Sequence, residues 1–203
     1  MIHYIIIRYN VYLMSLGKQA KTLTEAQEKS VLGFLSDGRH AQRNRVMFLL
    51  SVDAGLRAKE IAAVTWEIVT DSSGNLTDEM RLEDKASKGK SGGVVFISLR
   101  LGTELATFAD TQTMTRTIIK SERRGSMSAQ SVTNWFFSLY KRLGYEGCSS
   151  HSGRRTAITR WSRKISSVGG SLRDVQSLAR HSSLQMTQRY IEVSENAMRK
   201  VVG

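Results

Sequence analysis

Apolar positions along this chain recur mostly at helical spacing and alternate in only a few short stretches. Val31, Leu32, Phe34 and Leu35 share one face of a stretch running to about Ser36. Thr24 stands before it as a cap, with Gln27 three residues on as its reciprocal partner, and Asp37-Gly38 ends it. The next helix is expected over Ala41 to Ala54, where Val46, Phe48, Leu49, Leu50 and Val52 are dense enough for a central core position, and Gly55 stops it. A shorter helix follows from Ala58 to Val64, burying Ile61 and Val64. Trp66–Thr70, Met80–Leu82 and Val94–Ser98 read as three strands, separated by a turn at Asp71–Asn75 and a basic, glycine-rich hairpin tip at Lys85–Gly93. Leu99–Thr117 carries few signals and is a helical or loop connection.

Ser128 opens a helix bearing Trp135, Phe136, Leu139 and Tyr140, an aromatic stripe that suits a core better than a base-stacking surface. Lys141, Arg142 and Gly144 close it in the order cation, then glycine. A helix from His151 to about Ser162 points Ile158 and Trp161 inward, and Val168–Gly170 is a loop. Leu172–Ala179 is helical with Val175 and Leu178 buried. His181-Ser182-Ser183 breaks the chain before a short helix with Met186, Tyr190 and Ile191. The tail, Val193–Gly203, is helical with Met198, Val201 and Val202 on one side. The expected fold class is mixed, mainly α with a small three-stranded antiparallel β-sheet. Residues 1–21 are expected to be an extension, disordered or strand-like, and residues 22–203 the folded domain with its tail.

Composition narrows the partners. The 203 residues hold 30 Lys+Arg against 18 Asp+Glu, a formal charge of +12, which favours a polyanion such as nucleic acid. The 40% hydrophobic content supports a proper core. The lone cysteine, Cys148, forms no internal disulfide, so a reducing cytoplasm is the expected location. Met1–Leu16 is apolar but interrupted by His3, Arg8 and Asn10, too short and broken to span a membrane. Met14 is a second candidate start, which would leave the first thirteen residues without a function.

Candidate chemistry concentrates between His151 and Tyr190. H-x-x-R (His151, Arg154) sets a proton-transfer group and a fixed cation three residues apart, neighbours on a helix. His181 and Tyr190 follow. The inventory has neither the paired carboxylates of sugar chemistry nor a metal-ligand spacing. It suits attack of a tyrosine hydroxyl on a phosphodiester, with cations on the phosphate oxygens. Arg57 sits at a helix start where its guanidinium can reach a phosphate, and Glu60 can brace it or cap the helix. Taken alone, both also read as a surface Arg with a helix-start Glu, and the hairpin lysines as a solvated loop.

The ordered set G-L-R-x-x-E (Gly55 to Glu60), a hairpin lysine (Lys88), H-x-x-R (His151, Arg154) and H-x8-Y (His181, Tyr190) resembles the tyrosine recombinases, also called phage-integrase-type recombinases. The resemblance covers about Leu23 to Val193. It implies that fold, with Arg57 and Arg154 clamping the scissile phosphate and His151 helping to move the nucleophile's proton. It also implies that Lys88, rather than Lys85 or Lys90, protonates the leaving 5′ oxygen. His181 takes the second-histidine position, Tyr190 is the nucleophile, and Glu60 is supporting. No cofactor or metal is implied. The expected partners are double-stranded DNA, further copies in a tetramer on DNA, and an accessory DNA-binding protein; no membrane is expected.

Two departures stand out. Ala179-Arg180-His181 replaces the usual Leu-Gly-His, putting a bulky cation where Gly is common. Only some twenty residues precede the first helix, where family members carry a core-binding domain, so a catalytic-domain-only member similar to small DNA invertases is expected. Two other readings stay open: DNA relaxation like that of type IB topoisomerases, and a DNA-binding regulatory remnant. The mobile element, target site and direction of exchange are not legible.

Overall fold

The computed structural model describes residues 19–83, 92–111, 116–122, 125–191 and 195–202, with only the backbone for 195–197. The first helix among the described residues, α1 (Glu25–Ser36), starts with the capping box the pattern predicts. Thr24 Oγ1 accepts from the Gln27 amide at 3.2 Å, and Gln27 Oε1 accepts from the Thr24 amide at 2.9 Å. α1 buries Val31 and Leu35, but Phe34 lies exposed beneath the Arg142 guanidinium instead of entering the core. α2 (Ala41–Val52) is the central helix. Val46 through Leu50 and Val52 are all fully buried, so its second half is covered on every side, as a run apolar all round must be. α3 (Ala58–Ala63) follows the turn at Gly55.

Among the described residues the sheet has two strands. β1 (Glu79–Leu82) pairs antiparallel with β2 (Gly93–Phe96), Met80 opposite Val95 and Leu82 opposite Gly93. The strand expected at Trp66–Thr70 is instead a 3₁₀ turn over Trp66–Ile68, flanked by isolated bridges at Thr65 and Thr70. The reason is spacing. The buried residues there are Trp66 and Val69, three apart, which fits a 3₁₀ turn and not the two-residue period of a strand. Ser98, expected to end the third strand, caps α4 (Leu99–Asp110), accepting from the Leu101 amide at 3.1 Å. Leu101, Leu105 and Phe108 face inward from α4 at helical spacing.

The second half supplies α5 (Ala129–Arg142), α6 (Ser152–Lys164), α7 (Leu172–Ala179), α8 (Leu184–Gln188) and α9 (Glu195–Val202), with a 3₁₀ turn at Ile165–Val168 that runs into the loop expected at Val168–Gly170. α2 packs on α1, α4 and α6, and α3 packs on α5. Phe136, Leu139 and Tyr140 of the aromatic stripe are core. A second, smaller apolar cluster joins Ile158, Val175 and Ala179, with Trp161, Ile165, Leu172 and Tyr190 against it. Ala179 is buried there, while Leu178, expected inside, is only half-buried. Two buried carboxylates tie the helices together: Glu28 accepts from Arg100 (3.0 Å) and Arg160, and Asp53 from Ser98 (2.8 Å) and Arg100 (3.0 Å). Residues 19–23 lie against the domain, with Lys21 donating to the Gly147 carbonyl and the Leu23 amide to Thr156 Oγ1. No described helix is long and apolar enough to cross a membrane.

Candidate active site

Three separate junctions converge on one cleft of about 380 Å³. Arg57, His151, Arg154, His181 and Tyr190 all line it, along with Gln19, Arg155 and Arg189. Lys88, with Lys85 and Lys90, lies outside the described residues.

Two close approaches create the convergence. Gly55 adopts φ +63°, and a Cβ there would lie 2.8 Å from the Trp161 ring of α6. Gly153, inside His151-Ser152-Gly153-Arg154, lets α6 cross α2 so tightly that a Cβ would meet Ser51 Cβ at 2.8 Å. These glycines let the start of α6 and the turn before α3 sit together. Arg154 then bridges them. Its guanidinium donates to the Gly55 carbonyl at 2.6 Å and to the Ala179 carbonyl at the end of α7, and the residue is almost wholly buried. Burial, then the Arg57 and Arg180 cations, press its pKa below the usual range.

Arg57 is the residue before α3, in extended conformation, and its side chain is partly exposed to the cleft. Glu60, fully buried, holds it from behind. Glu60 Oε2 accepts from the Arg57 amide at 2.7 Å and Oε1 from its guanidinium at 2.8 Å. Bracing and capping, the two roles open from sequence, are both made by the one carboxylate.

His151 stands at the N-cap of α6 in a helical conformation, exposed at the rim. Partial loss of hydration around its ring, then Arg154 and Arg57, lower its pKa. His181 is buried. Its Nδ1 is 3.0 Å from Thr187 Oγ1, and burial followed by Arg154, Arg57 and Arg180 lowers its pKa to about 4. Both imidazoles are therefore held towards the neutral form, in which a ring nitrogen can accept a proton.

Tyr190 follows α8. Its amide donates to the Thr187 carbonyl at 3.0 Å, and its carbonyl accepts from Thr159 Oγ1 at 3.4 Å. Its ring stacks on His181 at 5.3 Å between centroids, and the Arg155 guanidinium lies 5.9 Å from the ring centre. Arg155 in turn donates to Gln19. Arg155 and Thr187 escaped the sequence reading. Arg155 is hidden beside the motif residue Arg154, and Thr187 bears no motif at all. Among the described residues, no group of three or more His, Cys, Asp or Glu is placed to hold a metal ion.

The helical core and two-stranded sheet agree with comparison to known proteins. The family model described as "Phage integrase family" matches residues 21–197. The chain belongs to that family, the tyrosine recombinases. Among solved structures it is similar to the Tn1549 transposon integrase in complex with a circular intermediate DNA (16% identity, TM-score 0.70, covering 90% of this chain and 65% of that one). It is similar as well to XerA recombinase (19%, 0.69, 89% and 63%). A lambda integrase dimer bound to a COC′ core site also matches (19%, 0.65, 88% and 64%). At these identities the likeness establishes the tyrosine recombinase catalytic fold. The chain spans a little under two thirds of each of those solved chains. No curated protein matches in sequence.

Proposed function

We propose that this protein is a site-specific DNA recombinase, which cleaves and rejoins double-stranded DNA through a 3′-phosphotyrosyl intermediate on Tyr190. The observation carrying the reading is the convergence of Arg57, His151, Arg154, His181 and Tyr190 on one cleft from distant parts of the chain. Family membership and solved neighbours in complex with DNA support it.

The chemistry follows from the groups. A phosphodiester repels nucleophiles by its charge, and attack adds negative charge to the non-bridging oxygens. Arg57 and Arg154 supply fixed cations with fork geometry matched to those oxygens. The Tyr190 oxygen forms a new bond to phosphorus as the bond to the 5′ oxygen breaks. A tyrosine hydroxyl has an ordinary pKa near 10, so it needs an acceptor for its proton. His151 takes that role, with neutral His181 on the same phosphate. Lys88 gives a proton to the departing 5′ oxygen. The phosphotyrosyl bond keeps the energy of the broken linkage, so a different 5′ hydroxyl can reverse the step without ATP or a metal ion. Exchange between two duplexes calls for four copies on DNA, with an accessory DNA-binding protein as a further partner. On this reading the protein would act in the cytoplasm on DNA of a mobile element.

A nicked duplex whose cleavage releases a short 5′-hydroxyl fragment traps the covalent complex. Wild-type protein is expected to form protein–DNA adducts without added metal. Tyr190→Phe is expected to bind the same duplex and form none. Adducts in Tyr190→Phe would overturn the assignment, and relaxation of plasmids of any sequence would favour a topoisomerase-like activity.

A further inference from the structure

Arg180 closes α7 in a left-handed conformation (φ 51°, ψ 47°), a position where glycine is unstrained and arginine is not. Its side chain is 3% exposed. The aliphatic stem passes over Gly93 of β2, where a Cβ would lie 3.4 Å from Arg180 Cδ. At the end of the stem, Nη2 donates to Glu60 Oε2 at 2.8 Å. Nε and Nη1 are buried and find no hydrogen-bond partner among the described residues.

The contrast with Arg154 is informative. Arg154 is also buried, but two of its donors reach backbone carbonyls and join two junctions. Buried donors are ordinarily satisfied, and Arg180 leaves two of its own without a partner among the described residues. Arg180 combines a strained backbone with a buried, incompletely satisfied cation. Local costs of this kind concentrate where function requires them. What Arg180 touches is the carboxylate that braces Arg57.

Resting on the reading of the cleft as a phosphate site, we propose that Arg180 is a positioning residue that shares Glu60 with Arg57. With one guanidinium, the Glu60 carboxylate would neutralise Arg57. With two, its single negative charge is divided, and Arg57 keeps positive charge to offer to a phosphate oxygen. Arg180 also clamps Glu60 from the α7 side while α3 holds it from the other. The bracing geometry of Arg57 therefore depends on a residue that never reaches the cleft, since Arg180 is not among its lining.

The test uses the full chain with Arg180→Lys, Arg180→Met and Arg180→Gly. Inorganic phosphate is titrated while the His151 and His181 ring resonances are followed by NMR, and thermal unfolding is recorded in parallel. Arg180→Met and Arg180→Gly are expected to remain folded and to bind phosphate about tenfold more weakly, the scale of one charge-assisted contact. Arg180→Lys, which keeps the charge, is expected to stay within about threefold of wild type. Arg180→Gly also relieves the left-handed strain, so its melting temperature is expected to be no lower than that of Arg180→Met. Wild-type phosphate affinity in Arg180→Met overturns the proposal. So does equal weakening in Arg180→Lys and Arg180→Met, or unfolding of both Arg180→Met and Arg180→Gly, which would make Arg180 a strut. Phosphate binding is read without strand cleavage, so this result is separate from whether Tyr190 forms adducts.

Discussion

Gly153→Ala tests how the cleft is held together. An added Cβ would lie 2.8 Å from Ser51 Cβ and 3.1 Å from the Ser51 backbone carbon, against an ordinary carbon–carbon contact of about 3.5–4.0 Å. Both helices are buried at this crossing, and Ser51 is on the central helix α2, so neither side can swing into solvent. Overpacking of this kind costs about 1–3 kcal/mol. Replacing a helical glycine returns about 0.5–1 kcal/mol, and less near a helix start such as this. The net destabilisation is about 1–2 kcal/mol. For a chain of this size that lowers the melting temperature by about 2–8 °C. The displaced helix start carries His151 and Arg154, so phosphate affinity should fall as well. Calorimetry on Gly153→Ala, Ser51→Gly and the double variant separates the contact from its background. Ser51→Gly removes the opposing side chain and leaves only the backbone carbon, so the double variant is expected to show a favourable coupling of about 1 kcal/mol. A Gly153→Ala protein that melts at or above the wild-type temperature, or an additive double variant, would refute the reasoning.

Two further outcomes follow from the electrostatics. His181 has a folded-state pKa of about 4 against 6.5 for a free imidazole, so between these values the unfolded chain binds the proton and the folded chain does not. Stability should rise with pH across that window, by at most about 3 kcal/mol from this group, and His181→Gln should flatten the rise measured by urea unfolding; an unchanged slope would count against it. Glu60→Gln leaves Arg57 and Arg180 facing each other without a buried counter-charge, and a loss of about 3 kcal/mol in denaturant unfolding is expected. A loss under about 1 kcal/mol would mean that the carboxylate is not the brace.

Local signals carried much of this fold into the sequence. The Thr24–Gln27 box, the all-round apolar run of α2 and the bounds of α7 follow from capping and periodicity. Trp66–Thr70 misled because a β-rich composition resembles a strand, whereas its two buried residues are spaced for a 3₁₀ turn. Leu101, Leu105 and Phe108 were diluted by Gly102, Thr103 and Thr107, which hid α4. The motif residues were recognisable as types at spacings, but their meeting depends on Gly55 and Gly153, whose value lies in what they allow to approach. Arg180 was visible as a departure from the usual glycine. Its burial against Glu60 was not, because an arginine beside a helix end ordinarily reaches solvent.

The central claim is that Tyr190 is the nucleophile and carries the 3′ phosphate. Wild-type protein trapped on a nicked duplex can be digested and the nucleotide-bearing peptide mapped by mass spectrometry. The account predicts a single modified peptide with the phosphate on Tyr190, linked to the 3′ end of the cleaved strand, and a free 5′ hydroxyl on the released fragment. Modification at another residue, or a 5′ linkage on Tyr190, would contradict it.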